Sequence, residues 1–278
     1  MTTRRDFLKT ASALTLGGLL TSETLLAASK RSIGIQLYTL RDELPKDPKG
    51  VLKKIAAAGY KELESYQGEQ GVFFGMKAKE FKKFIGDLGM NLRSSHVGTG
   101  ATFEKTVAEL AEAGAKYVMS PYNKQNTLDE YKKTGQDFVR LGEIAQKNGL
   151  QFGYHNHDYA FKEVEGVVPY DMWLKEIDPK LMVMEMDIYW VVRAGKDPVD
   201  YFNQYPGRFP LWHVKDMDKG NEDQNTEIGK GKIDYKALLK HASKAGLKYA
   251  FVEQENNYAP TPFGSIKTSA TYLKGIQY

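Results

Sequence analysis

The stretch LMVMEMDIYWVVRAGKDPVDYFNQYPGRFPLWHVKD, residues 181–216, decides the fold. It opens with an apolar strand that ends in an acid, Asp187, passes through a helical connection, and closes with a second apolar strand that ends in His213, Lys215 and Asp216. Two successive strands thus each deliver a potential metal ligand at the carboxyl end. In a fold of parallel strands joined by helices, those ends meet on one face.

The same rhythm extends outward in both directions. The sequence predicts strands over residues 33–38, 60–65, 91–96, 116–120 and 151–156 before this stretch, 182–187 and 210–214 within it, and 249–254 after it. Helices are expected between them, at 48–58, 77–88, 103–113, 128–147, 170–176, 198–204, 235–245 and 264–274. Gly59, Gly89, Gly114, Gly149 and Gly246 follow helical runs closely, where glycine takes the left-handed stop without a steric cost. Near-continuous apolar strands, each followed by a helix, indicate a parallel sheet covered by helices, and eight such units favour closure into a single (β/α)8 TIM barrel. No Pro/Ser-rich linker divides the 278 residues, so residues 30–278 are expected to form one domain.

The bulk composition narrows the function. A hydrophobic content of 41% with 17 Tyr and 13 Phe supports a sizeable core. The net charge of +4 is spread along the chain, so neither nucleic acid nor an anionic membrane is implied as a partner. Cysteine is absent, which removes thiolate nucleophiles and Cys-ligated zinc and leaves His, Asp and Glu to hold any metal. Residues 1–29 have the order of an export signal: Arg4-Arg5 with Phe7-Leu8-Lys9, the run ASALTLGGLL, then Ala27-Ala28-Ser29. The paired arginines resemble a twin-arginine signal, which implies an exported, periplasmic protein. The apolar run is too short for a bilayer anchor, which needs about 20 residues.

The strand ends collect the chemistry. Gln36 and Tyr38, Glu62 and Glu64, His96, Ser120, His155 to Asp158, Glu185 and Asp187, His213 to Asp216, and Glu253 with Glu255 all fall there, including four of the five histidines. Residues two apart on a strand share a face, so Glu185 goes with Asp187, His155 with His157, His213 with Lys215 and Glu253 with Glu255. Imidazoles and carboxylates without sulfur suit Mn²⁺, Co²⁺, Fe²⁺ or Zn²⁺ better than Ca²⁺.

The segments Tyr-Lys-Glu-Leu-Glu, Ser-Ser-His-Val, Gly-Tyr-His-Asn-His, Met-Asp-Ile-Tyr-Trp, Trp-His-Val-Lys-Asp and Val-Glu-Gln-Glu, taken in order, resemble the xylose-isomerase-like barrel superfamily in its sugar phosphate isomerase/epimerase branch. The resemblance covers residues 32–278, and Trp-His-Val-Lys-Asp with the later Ile-Gly-Lys-Gly-Lys-Ile-Asp-Tyr is its most specific part. It implies one divalent ion (Mn²⁺, Zn²⁺ or Co²⁺) held by His155, Asp187, His213 and Glu253. Strand 5 departs from the family, since His155 stands where a Leu-Glu-Asn-His pattern would place a glutamate. That removes one of the two glutamates expected of an acid–base pair and weighs against simple 3-epimerisation of a free ketose.

The expected activity is a sugar isomerase or epimerase that abstracts a proton next to a carbonyl and passes through an enediolate. Glu253 is the expected base, His96 or His157 returns the proton, and Lys215 offsets oxyanion charge or holds a hydroxyl. Gln36, Tyr38, Glu64 and Trp190 are candidates for contact with the sugar. No Gly-rich phosphate loop and no Arg cluster at the barrel mouth is present, so a neutral sugar, keto-sugar or keto-glycoside is the expected small-molecule partner. A 3-keto-glycoside would permit β-elimination as the alternative outcome. Three further readings stay open: an endonuclease with a multi-metal cluster, a two-carboxylate glycosidase using Glu185 or Glu64 with Glu253, and a non-catalytic sugar-binding barrel. A homo-oligomer is compatible with the sequence.

Overall fold

Local capping chemistry sets the elements in the structure, a computed structural model that describes residues 32–276. The export signal expected over residues 1–29 lies outside the described residues. Helix α1 (Pro48–Ala58) starts where Asp47 accepts a hydrogen bond from Gly50 N, with Pro48 in its first turn, and stops at Gly59 with φ of 97°. The long helix α2 (Leu128–Lys147) opens on a capping box in which Thr127 and Glu130 satisfy each other's backbone N–H.

Eight parallel strands close into a barrel: β1 (Gly34–Gln36), β2 (Glu62–Tyr66), β3 (Asn91–His96), β4 (Tyr117–Ser120), β5 (Gln151–His155), β6 (Met182–Asp187), β7 (Leu211–Val214) and β8 (Tyr249–Val252). The order around the barrel follows the chain, with β1 closing on β8. The (β/α)8 architecture expected from the sequence is the architecture found. Beyond β7, a short antiparallel ribbon pairs Asp216–Met217 with Asn225–Thr226.

The barrel interior is layered by strand alternation. Met119, Val183, Leu211 and Phe251 form an apolar cluster apart from the main core. Two residues further along their strands stand Glu185, His213 and Glu253, so the apolar layer supports a polar one. Gly153 on β5 makes that packing possible, because a Cβ there would lie 2.5 Å from Met119 Sδ.

Three elements differ from the sequence expectation. Strand β1 ends at Gln36 because the Gln36 side chain accepts from Tyr38 N and the chain turns into a 3-10 helix, Leu37–Leu40. A helix unread in the sequence, Ile188–Arg193, follows β6 directly, capped by Asp187. The helix expected over 235–245 is broken by a 3-10 turn at Leu239–His241. Among the described residues, no helix is long and apolar enough to cross a membrane.

Candidate active site

Alternation along β6 turns both Glu185 and Asp187 into the barrel, where each is fully buried. Asp187 is fixed from two sides. Its backbone exchanges hydrogen bonds with the Asn156 amide, each 3.1 Å long, and its Oδ1 accepts from Trp190 N. Oδ2 is thereby left facing the interior, 3.9 Å from both His155 Nε2 and His213 Nδ1.

His213 stands at the centre of the cluster. Its Nδ1 lies 2.9 Å from Glu253 Oε2 and its Nε2 lies 2.6 Å from Glu64 Oε1. Gln36 Nε2 donates to the same Glu64 oxygen at 2.8 Å. His96 stacks on the His213 ring at 5.1 Å, and its Nε2 sits 2.7 Å from Glu185 Oε2. The Lys215 ammonium, buried to 1% exposure, lies 2.8 Å from Glu253 Oε2 and 3.1 Å from Asp187 Oδ2, and also reaches Glu255. The second of these contacts is an ion pair without hydrogen-bonding alignment, since Asp187 Oδ2 has no hydrogen-bond partner.

Burial and charge pull the titrating groups apart. Burial raises Glu185, reinforced by the negative charge of Glu64, to about 7. Glu64 is itself fully buried, but the nearby His96 and His213 outweigh that and hold it at about 2. Burial also raises Asp187. Glu253 is held well below the usual carboxylate range, because Lys215 and His213 overcome the cost of burying it. Among the imidazoles, burial depresses His155 strongly and brings His157 to about 3, helped in the latter by Lys215. For His213, the three surrounding glutamates overcome burial and raise it well above its ordinary value.

The residues fit a divalent ion. Ligand atoms of Asp187, His213 and Glu253 come within 4.8 Å of one another, and so do those of His96, His155, Glu185 and His213. Asp187 Oδ2, Glu185 Oε1, Glu64 Oε2 and His155 Nδ1 are buried without a hydrogen-bond partner, which an interior rarely tolerates unless something else satisfies them. Glu64, Glu185, Asp187 and Glu253 are buried carboxylates, and Lys215 is the one Lys or Arg buried with them among the described residues. The donor set is nitrogen and oxygen without sulfur, which suits a first-row divalent ion. Of the four ligands expected from the sequence, Asp187, His213 and Glu253 converge, and His155 stands beside Asp187 while grouping with His96 and Glu185.

Above this cluster opens a cleft of about 460 Å³. Of the residues singled out in the sequence, Tyr38, His96, His155, His157, Glu253 and Glu255 line it. Gln36 and Glu64 are fully buried and bonded to each other beneath the floor. Lys215 is also buried, and Trp190 packs behind His157 with ring centroids 5.3 Å apart. Tyr66, Gln67 and Tyr122 also line the cleft and were not singled out in the sequence. Their position at or just past the ends of β2 and β4 was the available signal, since such positions face the barrel mouth.

The fold and this cluster define a class, and a comparison of sequences bears it out. Residues 52–276 match the family model described as xylose isomerase-like TIM barrel, and the chain belongs to that family. A curated relative from Lacticaseibacillus casei, described as inosose dehydratase, is 27% identical over 165 residues, covering 53% of this chain and 55% of the relative. The chain thus spans about half the length of that relative. A solved structure of a sugar phosphate isomerase/epimerase from Parabacteroides distasonis is 30% identical with a TM-score of 0.76, covering 91% of this chain and 96% of that one. A structure of the IOLI protein with a bound zinc atom shares the fold, at 14% identity and a TM-score of 0.71 over 88% of this chain and 97% of that one.

Proposed function

We propose that this protein is a metal-dependent enzyme that removes a proton from the carbon next to a carbonyl in a neutral carbohydrate, either a keto-sugar or a keto-glycoside. The observation that carries this reading is the double membership of Glu253, which belongs both to the ion-binding group and to the wall of the open cleft. A site of this kind can present a substrate oxygen to a cation while the rest of the substrate stays in the cleft.

Asp187, His213 and Glu253 would hold the ion, with His155 beside them. Bound there, a divalent ion supplies Lewis-acid polarisation of a substrate oxygen. Glu64 accepts from His213 Nε2 and so orients the ring to offer Nδ1 toward Asp187 and Glu253. Glu253 Oε2 already meets both Lys215 and His213, which favours Glu253 as a ligand over a strong base. Proton transfer then falls to the imidazoles that line the cleft. His96 has Nε2 engaged by Glu185, leaving Nδ1 for substrate, and His157 is held neutral. Lys215 keeps positive charge beneath the reacting oxygen.

A neutral substrate is supported by the cleft lining, which contains no Lys or Arg while presenting Glu253 and Glu255. The Lys215 ammonium beneath the lining is already paired with Asp187, Glu253 and Glu255, so the lining itself offers no free positive group to a phosphate dianion. Reprotonation of the intermediate gives isomerisation or epimerisation. Loss of a β-substituent instead gives elimination, a reading favoured by the dehydratase relative, since dehydration of a keto-polyol is a β-elimination of water.

The test is deuterium incorporation from D₂O into neutral keto-sugars and keto-glycosides, with and without EDTA. Exchange that stops with EDTA and returns with Mn²⁺, Co²⁺ or Zn²⁺ supports the proposal. Turnover that persists in EDTA favours a two-carboxylate glycosidase. Release of water or aglycone with growth of enone absorbance assigns elimination. Export through Arg4-Arg5 is part of the same proposal, tested by fractionating cells that carry Arg4→Lys and Arg5→Lys.

A further inference from the structure

We propose that the rim of the cleft is a second ring-binding subsite, and that the substrate is a glycoside whose aglycone is a further sugar or an aryl ring. This rests on the carbohydrate reading above and specifies it.

Among the described residues, the large hydrophobic side chains left exposed are Tyr38, at 39%, and Tyr122, at 60%. Scattered exposed aromatics need no explanation. These two line the same cleft, although they come from the ends of β1 and β4, three strands apart around the barrel. Every other described aromatic is buried or partly buried, so the two exposed ones stand together where a ligand would enter.

Both rings are held in place. Tyr38 stands edge-on to Tyr66 at 5.2 Å, and the Arg41 guanidinium lies 4.8 Å over its ring while donating to Glu255 O. Tyr122 meets Tyr159 at 5.1 Å and His157 at 5.5 Å, both edge-on. Faces fixed in advance lose little entropy when a ring stacks on them. Between these tyrosines lies Gln67, whose Oε1 is taken by Gly98 N at 3.0 Å, leaving its amide N–H groups for a hydroxyl or glycosidic oxygen.

The cleft therefore divides by chemistry. His96, His155 and Glu253 are buried on the floor, and His157 stands half-buried beside them. His157 meets the Tyr122 ring edge-on and Glu255 lines the same cleft, so the faces of Tyr38 and Tyr122 are the surfaces on which a second ring can stack away from the buried floor. A pyranose presents a face of C–H bonds and an aryl ring a flat π face, and either packs on tyrosine.

The experiment compares 3-keto methyl β-glucoside, 3-keto phenyl β-glucoside and 3-keto cellobiose in the D₂O exchange assay. A second ring raises kcat/KM about tenfold over the methyl compound, the value of one or two aromatic contacts. Tyr122→Ala collapses that ratio toward one, and Tyr122→Phe keeps it. Preference for cellobiose over phenyl, or the reverse, tells whether the second ring is sugar or aryl. Equal kcat/KM for all three, or a ratio untouched by Tyr122→Ala, overturns the subsite. If no compound exchanges, the reaction reading fails, and calorimetric binding of phenyl β-glucoside against methyl β-glucoside still decides the rim. Tighter phenyl binding that is lost in Tyr122→Ala supports it, and equal binding overturns it.

Discussion

Lys215→Met offers the sharpest probe of the cluster's charge balance. The ammonium faces Asp187 at 3.1 Å, Glu253 at 2.8 Å and Glu255, with Lys215 and Asp187 fully out of solvent. Methionine fills similar space and removes the charge, leaving two buried carboxylates facing one another without it. Breaking a buried pair costs about 3–5 kcal/mol. For a domain of this size each kcal/mol moves Tm by about 2–4 °C, so the variant should melt about 6–20 °C lower in EDTA. A divalent ion held as proposed would bind the same oxygens, and at a hundredfold excess over Kd it would return about 2.7 kcal/mol. The metal-induced rise in Tm should therefore be larger in Lys215→Met than in the wild type, because the ammonium no longer competes for the site. Scanning calorimetry of both proteins, with EDTA and with Mn²⁺ or Zn²⁺, measures all four values. An unchanged Tm in EDTA, or a loss that no divalent ion relieves, would refute this account of the cluster.

Other predictions follow from single contacts. Asp216 accepts from the backbone N–H of Met217, Gly229, Gly231 and Ile233 at 2.9–3.1 Å, so Asp216→Ala should cost more than about 1.5–3 kcal/mol in urea denaturation, the value of a single bond to a charged acceptor. Asn156→Ala frees the backbone of Asp187 and should weaken metal affinity about 10–100-fold by competition with a chelator dye, while leaving the barrel's circular dichroism intact. Burial alone would raise Glu227, but Ser265 Oγ at 2.6 Å and Lys230 overcome it and hold the carboxylate below 4.5. Its contribution is complete above pH 4.5 and is lost as pH falls through the lower folded value, so Glu227→Gln should flatten the acid limb of a stability–pH curve.

Much of this molecule could be read in its sequence because its pattern is periodic. The helices over 48–58 and 128–147 are legible from their periodic runs and the glycines that follow them, and β3 and β6 from runs of pleat-compatible residues, while the Asp47 and Thr127 caps emerge only in the structure. The short helix at Ile188–Arg193 was not legible, since its sequence IYWVVR is β-branched and aromatic. What makes it helical is the Asp187 cap, the same side chain whose other oxygen faces the cluster. Alternation placed Glu185 beside Asp187 on one face, which is what the barrel shows. Which carboxylate meets which imidazole was beyond reach, because Glu64 and His213 are 149 residues apart and meet only across the closed barrel. Of the rim tyrosines, Tyr38 was legible at the end of the first strand, whereas Tyr122 was hidden for a different reason. Tyr122 follows a strand end on an irregular segment, where no period marks the direction of a side chain.

A divalent ion gripped by Asp187, His213 and Glu253 at the floor of the cleft underlies the proposed chemistry. Elemental analysis of the purified wild type beside Asp187→Ala tests it most directly. One equivalent of Mn²⁺, Co²⁺, Fe²⁺ or Zn²⁺ per chain in the wild type, absent from a folded Asp187→Ala protein, is the predicted result. Equal metal content in the two proteins, or a wild type that carries no ion after dialysis against these metals, would contradict it.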